Sequence, residues 1–408
     1  MSVRKLYQEN VYTKEWEAVI TNIEPADNDT AVIYLDQSAF FPEGGGQSCD
    51  LGLIGDMEVC DVQEDGKEIS HTVVKKSGSK LAVGDKVSCS IDWARRFDNM
   101  QRHCGEHILS GICFDLFGGI NRGFHMGHDS MTIDISLEED PKIREITYDM
   151  AMEAELAANR VIWSNAPVTV MRFENREEAE KLPLRKALAF DEDISIVCVG
   201  SPENAADCVA CCGTHPSTAG QVGLIKIFKV EKYKGMFRIF FEAGERALMT
   251  CRLRHDILHE LSARYSSSVE DFPAKLRASE EKHAQVKDKL YHVTNALIAK
   301  ERNELEEKAA AFSGTVLIHR LEVLSMDDAF NMAKAYMGNT DKLLMLYSIR
   351  DTSFILVSSG NPHCGNLVRE YASFYDGKGG GNDVSARAIF DSEENAMLFA
   401  DLISKHLR

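Results

Sequence analysis

Up to about residue 90, apolar and polar positions follow a short-period pattern. EWEAVITNIE, DTAVIYLDQSAFF and DMEVCDVQEDG alternate or run apolar over a few residues, and PADND, PEGGGQ and EDGK between them are turn-forming. This predicts strands folded into a small β-barrel or sandwich. At Asp92 the period changes. In WARRFDNMQRHCGEHILSGICFDLFG, the residues Phe97, Met100, Ile108, Ile112 and Leu116 recur at roughly helical spacing, and Gly118-Gly119 ends the run. GFHMGHDSMTIDISL reads as a strand or hairpin and EITYDMAMEAELAANRVIWSN as a second helix. PVTVMRF, ISIVCVG, LIKIFKV and MFRIFFEAG read as further short β segments.

From Cys251 the chain turns helical, with an interruption at Pro273. The stretch that follows has no Gly or Pro, and Val286, Leu290, Val293 and Leu297 recur there at 4-3-4 spacing among Lys and Glu, a coiled-coil or helical-hairpin signal. Residues 314–408 alternate β and helical segments. The fold class expected is α+β: an N-terminal β-barrel-like domain over 1–90, an α/β core over 91–250, a helical or coiled-coil linker over 251–313 and a C-terminal α/β domain over 314–408.

Composition narrows the class. The chain has 408 residues, 44% apolar and 27% charged, which excludes disordered, collagen-like and disulfide-dense proteins. It contains no run of 18 apolar residues and no signal-peptide core at its start, so no membrane association and a cytoplasmic protein are expected. The odd count of 11 cysteines then reads as reduced thiols, some of them free to bind metal. Net charge is −18, from 46 basic and 64 acidic residues, which by itself disfavours a nucleic-acid partner. One basic stripe survives locally: Lys226, Lys229, Lys232, Lys234, Arg238, Arg246, Arg252 and Arg254, opposed only by Glu231, Glu242 and Glu245.

The strongest chemistry lies in His103-Cys104-Gly105-Glu106-His107. Histidines four apart share a helix face and can reach one ion. A second cluster, Cys208, Cys211, Cys212 and His215, sits in DCVACCGTHP. Thiolate and imidazole are ligands that zinc favours, and one pair from each cluster would complete a tetrahedral set. The first pair is also H-x-x-E-H, the inverted zinc-peptidase motif, in which Glu106 is the base and a downstream acid such as Glu153 or Glu155 would be a third ligand. That alternative leaves the cysteine segment without a role. The loop PEGGGQSCDLG is neither a dinucleotide fingerprint nor a phosphate-binding P-loop. Its three glycines permit close backbone approach to a ligand, and Gln47 at its end can hydrogen-bond one.

FFPEGGGQ, RHCGEHILSG, CCGTHP and GQVGLIKI, in this order, resemble the editing domain of alanyl-tRNA synthetase and its free-standing AlaX-type relatives, over residues 1 to about 250. Asp376-Gly377-Lys378-Gly379-Gly380-Gly381 resembles the glycine-rich signature of the DHHA1 domain that ends alanyl-tRNA synthetases and long AlaX proteins. The resemblance implies a zinc-containing hydrolase acting in trans, without an aminoacylation core, that deacylates alanine tRNA charged with serine or with glycine. It places the metal ligands at His103, His107, Cys211 and His215, with Cys212 as the one-residue alternative to Cys211. Glu106 is the candidate base or an outer group orienting an imidazole. Gln47 and the amides of Gly44, Gly45 and Gly46 are candidates for recognising the serine hydroxyl, and His125 and His128 could line the same pocket. The basic stripe and Lys378 in its glycine loop are where tRNA phosphates would be met. The helical linker and C-terminal domain are expected either to bind tRNA or to pair two chains into a homodimer.

Overall fold

The computed structural model describes residues 3–27, 29–76, 81–138, 143–189, 191–201 and 203–407. The chain divides into two compact units, Met1–Glu260 and Leu261–Arg408.

The first unit opens with six antiparallel strands: β1 (Glu15–Pro25), β2 (Thr30–Leu35), β3 (Gly52–Ile54), β4 (Met57–Asp65), β5 (Glu68–Val74) and β6 (Lys86–Ile91). They close into a barrel in the order β1-β2-β5-β4-β3-β6. The alternation read from the sequence is the barrel's two faces: in β1 Trp16, Ala18 and Ile20 are buried and Glu15, Glu17 and Val19 are exposed. Ile20, Ile33, Ile54, Val62, Ile69 and Val73 fill the interior.

Helix α1 (Trp93–Phe117) begins where the barrel ends. Asp92 caps it by accepting from the Arg95 amide, and Gly118 in the left-handed region stops it. Arg96 on its first turn is fully buried. It forks onto Asp50 and donates to the carbonyls of Val11 (2.8 Å) and Ala39 (2.6 Å), so one guanidinium joins the helix to both ends of the segment containing the first glycine loop. From Asn99 to Cys113 nearly every residue of α1 is buried. Two glycines permit this: a Cβ on Gly105 would lie 2.5 Å from Ala243 Cβ, and one on Gly111 would lie 1.9 Å from the Ala206 carbonyl.

Those contacts belong to two sheets. One has the order β12-β13-β8-β7, from β7 (Ile120–Met126), β8 (Met131–Ser136), β12 (Ile225–Tyr233) and β13 (Met236–Ala243), with α2 (Tyr148–Trp163) packed on it. The other is β9 (Val168–Asn175), β10 (Glu192–Ser201) and β11 (Asn204–Ala210). Cys198 and Cys208 face each other on the β10–β11 ladder and are joined as a disulfide, so the expectation of reduced thiols throughout is corrected, and Cys208 leaves the set of ligand candidates. Long-range register places opposite each other two cysteines that sequence reading treated separately.

Helix α3 (Gly244–Arg264) ends the first unit and starts the second. Pro273 begins, rather than interrupts, the 40-residue α4 (Phe272–Ala311), where proline at the first turn loses no hydrogen bond. Of the 4-3-4 stripe, Leu297 packs on the core that also holds Leu305, while Val286, Leu290 and Val293 are exposed. The rest of the second unit is a five-stranded sheet, β14-β15-β16-β18-β17, from β14 (Val316–Leu321), β15 (Leu343–Ser348), β16 (Ser353–Val357), β17 (Lys378–Gly381) and β18 (Ser385–Ile389). The expected glycine-rich loop is the edge strand β17. Its glycines serve close approach: a Cβ on Gly379 would lie 1.9 Å from the Arg387 carbonyl, and one on Gly381 2.2 Å from that of Ser385. Among the described residues no helix is long and apolar enough to cross a membrane.

Candidate functional site

Helical spacing brings His103 and His107 of α1 to one face, with ring centroids 5.2 Å apart. The segment after β11 folds back onto that face. Gly213 makes this possible: a Cβ there would lie 2.3 Å from His103 Cε1 and 3.0 Å from Gln47 Oε1. The result is a group of four, His103, His107, Cys211 and His215, whose ligand atoms all lie within 4.8 Å of one another. Cys211 Sγ is 3.4 Å from both His103 Nε2 and His215 Nε2. Cys212, the neighbouring thiol, lies outside this group on the cavity wall near Gly45.

Two buried acceptors orient the imidazoles. Gln47 Oε1 accepts from the Thr214 amide (3.1 Å), and Gln47 Nε2 donates to Thr214 Oγ1 (2.8 Å), which sets the direction of the amide. Oε1 therefore faces His103 Nδ1 at 3.0 Å as an acceptor, so Nδ1 carries the proton and Nε2 presents its lone pair to the cluster. Asp207 Oδ2 does the same for His107 Nδ1 at 3.0 Å. Arg185 holds Asp207 in turn, with Nε 2.5 Å from Oδ1 and Nη2 3.2 Å from Oδ2. Burial alone would raise the Asp207 carboxyl, but the His107 hydrogen bond and Arg185 outweigh it and hold the group below the usual carboxylate range.

The donor set fits a metal ion. Burial opposes ionisation of Cys211, yet the three imidazoles, His103 foremost, hold its thiol well below the ordinary range. Burial holds His215 down at about 4, in the neutral form that a metal needs. Its Nδ1 is buried without a partner among the described residues.

His103, His107 and Cys211 of the cluster line a cavity of about 440 Å³, lined also by Glu106, Asn121, Phe124, Ile194 and Ala210. Glu106 is buried. Its Oε1 accepts from Ser110 Oγ (2.6 Å) and Asn121 Nδ2 (2.7 Å), while Oε2 lies 4.0 Å from His107 Nε2.

Of the glycine loop, Gly45 lines the cavity. Gly44 and Gln47 bond each other's backbones in the turn, and Gly46 approaches Phe124 so closely that a Cβ would lie 2.9 Å from it. His128 is exposed beside Asp129, and neither it nor His125 lines the cavity. Glu155, a candidate third ligand for a peptidase, instead bonds Lys226 Nζ (2.7 Å) and the Ile227 amide (2.5 Å). Lys378 lies in the second unit. Half of the basic stripe is neutralised internally, Lys226 by Glu155, Lys229 by Glu231, Arg238 by Asp134 and Arg246 by Asp98. Sequence reading missed Asp207 and Arg185. Asp207 stands beside Cys208 in ADCVACCGTH, one signal that could have found it.

Residues 7–95, which include the barrel, match the family described as tRNA synthetases class II (A). Residues 194–240, from β10 through the Cys211–His215 turn into β13, match the threonyl and alanyl tRNA synthetase second additional domain. Over 406 residues the chain is 30% identical to the alanyl-tRNA editing protein AlaX-L of Pyrococcus horikoshii, covering 96% of this chain and 95% of that one. It is 26% identical over 401 residues to the alanyl-tRNA editing protein Aarsd1 of Mus musculus, covering 92% and 91%. The alanyl-tRNA editing protein AlaX-M of Methanosarcina acetivorans is 33% identical over 248 residues, 58% of this chain and 97% of that one.

Proposed function

The chain belongs to the AlaX-type alanyl-tRNA editing proteins, and from that premise we propose that it hydrolyses, in trans, the ester between alanine tRNA and a wrongly attached serine or glycine, with zinc held by His103, His107, Cys211 and His215. The observation that carries the reading is the four-ligand cluster, three of whose members line a cavity that the buried carboxylate of Glu106 also lines. Zinc is chosen because one thiolate and three imidazoles suit it; when bound it supplies Lewis acidity toward the ester.

The chain's own residues do the rest. Gln47 and Asp207 each hold one imidazole in a single tautomer and direction, so Gln47 acts through His103. Glu106 is the general base. Ser110 and Asn121 pin Oε1, and Oε2 takes the proton as water adds to the ester carbonyl. The proton then passes to the ribose oxygen as the C–O bond breaks, leaving free amino acid and tRNA. The apolar walls, Phe124, Ile194 and Ala210, limit water around the reacting carbonyl. The substrate places the activity in the cytoplasm.

The test is deacylation of alanine tRNA carrying serine, glycine or alanine, with zinc measured on the same preparations. The serine and glycine esters should be hydrolysed and the alanine ester spared. Cys211→Ala should lose both zinc and activity. Equal hydrolysis of all three esters, or full zinc content in Cys211→Ala, would overturn the reading.

A further inference from the structure

Three cations line the cavity beside the cluster: Arg122 on β7, and Arg185 and Lys186 in the segment before β10. Two of them are engaged. Arg122 Nη2 bonds Glu138 at 2.8 Å, and Arg185 bonds Asp207. Lys186 has no hydrogen bond or ion pair among the described residues. It is half-buried all the same. Burial, first, and then repulsion by Arg185 and Arg122 hold its ammonium below the ordinary lysine range, against the attraction of Glu106 and Asp207. The neighbouring residue carries a second unmet donor, because Arg185 Nη1 is buried without a partner among the described residues. Two acids line the same cavity, the buried Glu106 and the exposed Asp193.

A half-desolvated ammonium with no acceptor among the described residues, in a cavity that two guanidinium groups also line, is unfavourable until an anion meets it. The proposed substrate brings one. Its amino acid is esterified to the terminal ribose of an RNA strand, so a phosphodiester follows on the 5′ side of the ribose whose ester faces the cluster. We propose that Lys186, together with the Arg122 and Arg185 that line the same cavity, binds the phosphodiester 5′ to the aminoacylated nucleotide. This rests on the deacylase reading. It places phosphate recognition in the cavity itself, separate from the largely neutralised stripe and from Lys378. Lysine acts there as a point charge, which suits a phosphate without reading base sequence.

The experiment compares two serine esters, one of adenosine alone and one of a dinucleotide ending in adenosine, which adds the single phosphodiester. In Lys186→Met, the ratio of kcat/KM for the dinucleotide ester over the adenosine ester should fall about tenfold, mainly through KM. The slope of log kcat/KM against log salt for charged tRNA should become shallower by about 0.7, the share of one phosphate on a single strand. Lys186→Arg should keep most of the ratio. Equal losses on both esters would mean a structural role and overturn the proposal, as would an unmoved ratio. If the unaltered chain hydrolyses no serine ester, the deacylase reading fails and this proposal with it, an outcome distinct from the other two.

Discussion

The two units bury different things. The first holds ionised groups in its interior: Arg96 on Asp50, Arg102 on Glu242 (2.8 Å), and the chain Arg185–Asp207–His107. The second is built on Tyr347, Phe354, Phe390 and Phe399, the last two 5.0 Å apart, with His319 bonded to Glu301 as a buried polar exception. Buried ion pairs are weak evidence for stability, since well-packed apolar residues often do as well. What the first unit gains is position. Arg96 ties the glycine loop to the start of the ligand helix, and Arg185 sets the carboxylate that aims a ligand. Its sensitivity to substitution should therefore appear as misplacement, and that of the second unit as lost packing.

Two core variants test this most severely. Arg96→Met leaves Asp50 buried and unpaired and should lower the stability of the first unit by about 3–5 kcal/mol. Phe399→Ala should lower that of the second by a similar amount, about 3–5 kcal/mol, through its cavity. Hydrogen exchange on the full chain reads each unit separately. Phe399→Ala should retain its metal, and loss of the ion there would break the comparison.

A somewhat smaller effect is expected from acid. His71 is buried in the barrel, near Ser38 Oγ (2.8 Å) and the Ile33 carbonyl (3.0 Å), and burial holds it down at about 4. Between pH 6.5 and 4 the unfolded chain takes up a proton that the folded barrel refuses. Stability is therefore full above pH 6.5 and falls as pH falls through that window, by about 3 kcal/mol. Denaturant titrations at several pH values measure the slope, and His71→Gln should lack this share of it.

The smallest effect isolates orientation. Asp207→Asn keeps the shape but weakens the acceptor on His107, and should reduce zinc affinity about 10–100-fold, roughly 1.4–2.7 kcal/mol. Competition with a chelator measures it; unchanged affinity would show that the Arg185–Asp207 pair is only structural.

The motifs were legible where the chemistry is local. The H-x3-H spacing follows from helix geometry, and the CCGTH run is conspicuous by composition. Barrel strands showed by alternation, but their order did not, since β2 pairs with β5 across the β3–β4 hairpin. Gln47, at the end of its loop, reads from the sequence as a residue that faces substrate. Its partners, His103 and Thr214, lie 56 and 167 residues away and are visible only once folded. DGKGGG, residues 376–381, misleads as a loop for a related reason: glycine marks either an unusual φ or a close neighbour, and Gly379 and Gly381 mark close neighbours.

The cluster also has a history in time. Its two halves are 108 residues apart in the chain. At about 5–20 residues per second, roughly 5–20 s of synthesis separate His103 from Cys211, and His215 follows. Throughout that interval the nascent chain carries both imidazoles of α1 but neither Cys211 nor His215. The group of four therefore comes into being only when the segment after β11 has been made and has folded back onto α1.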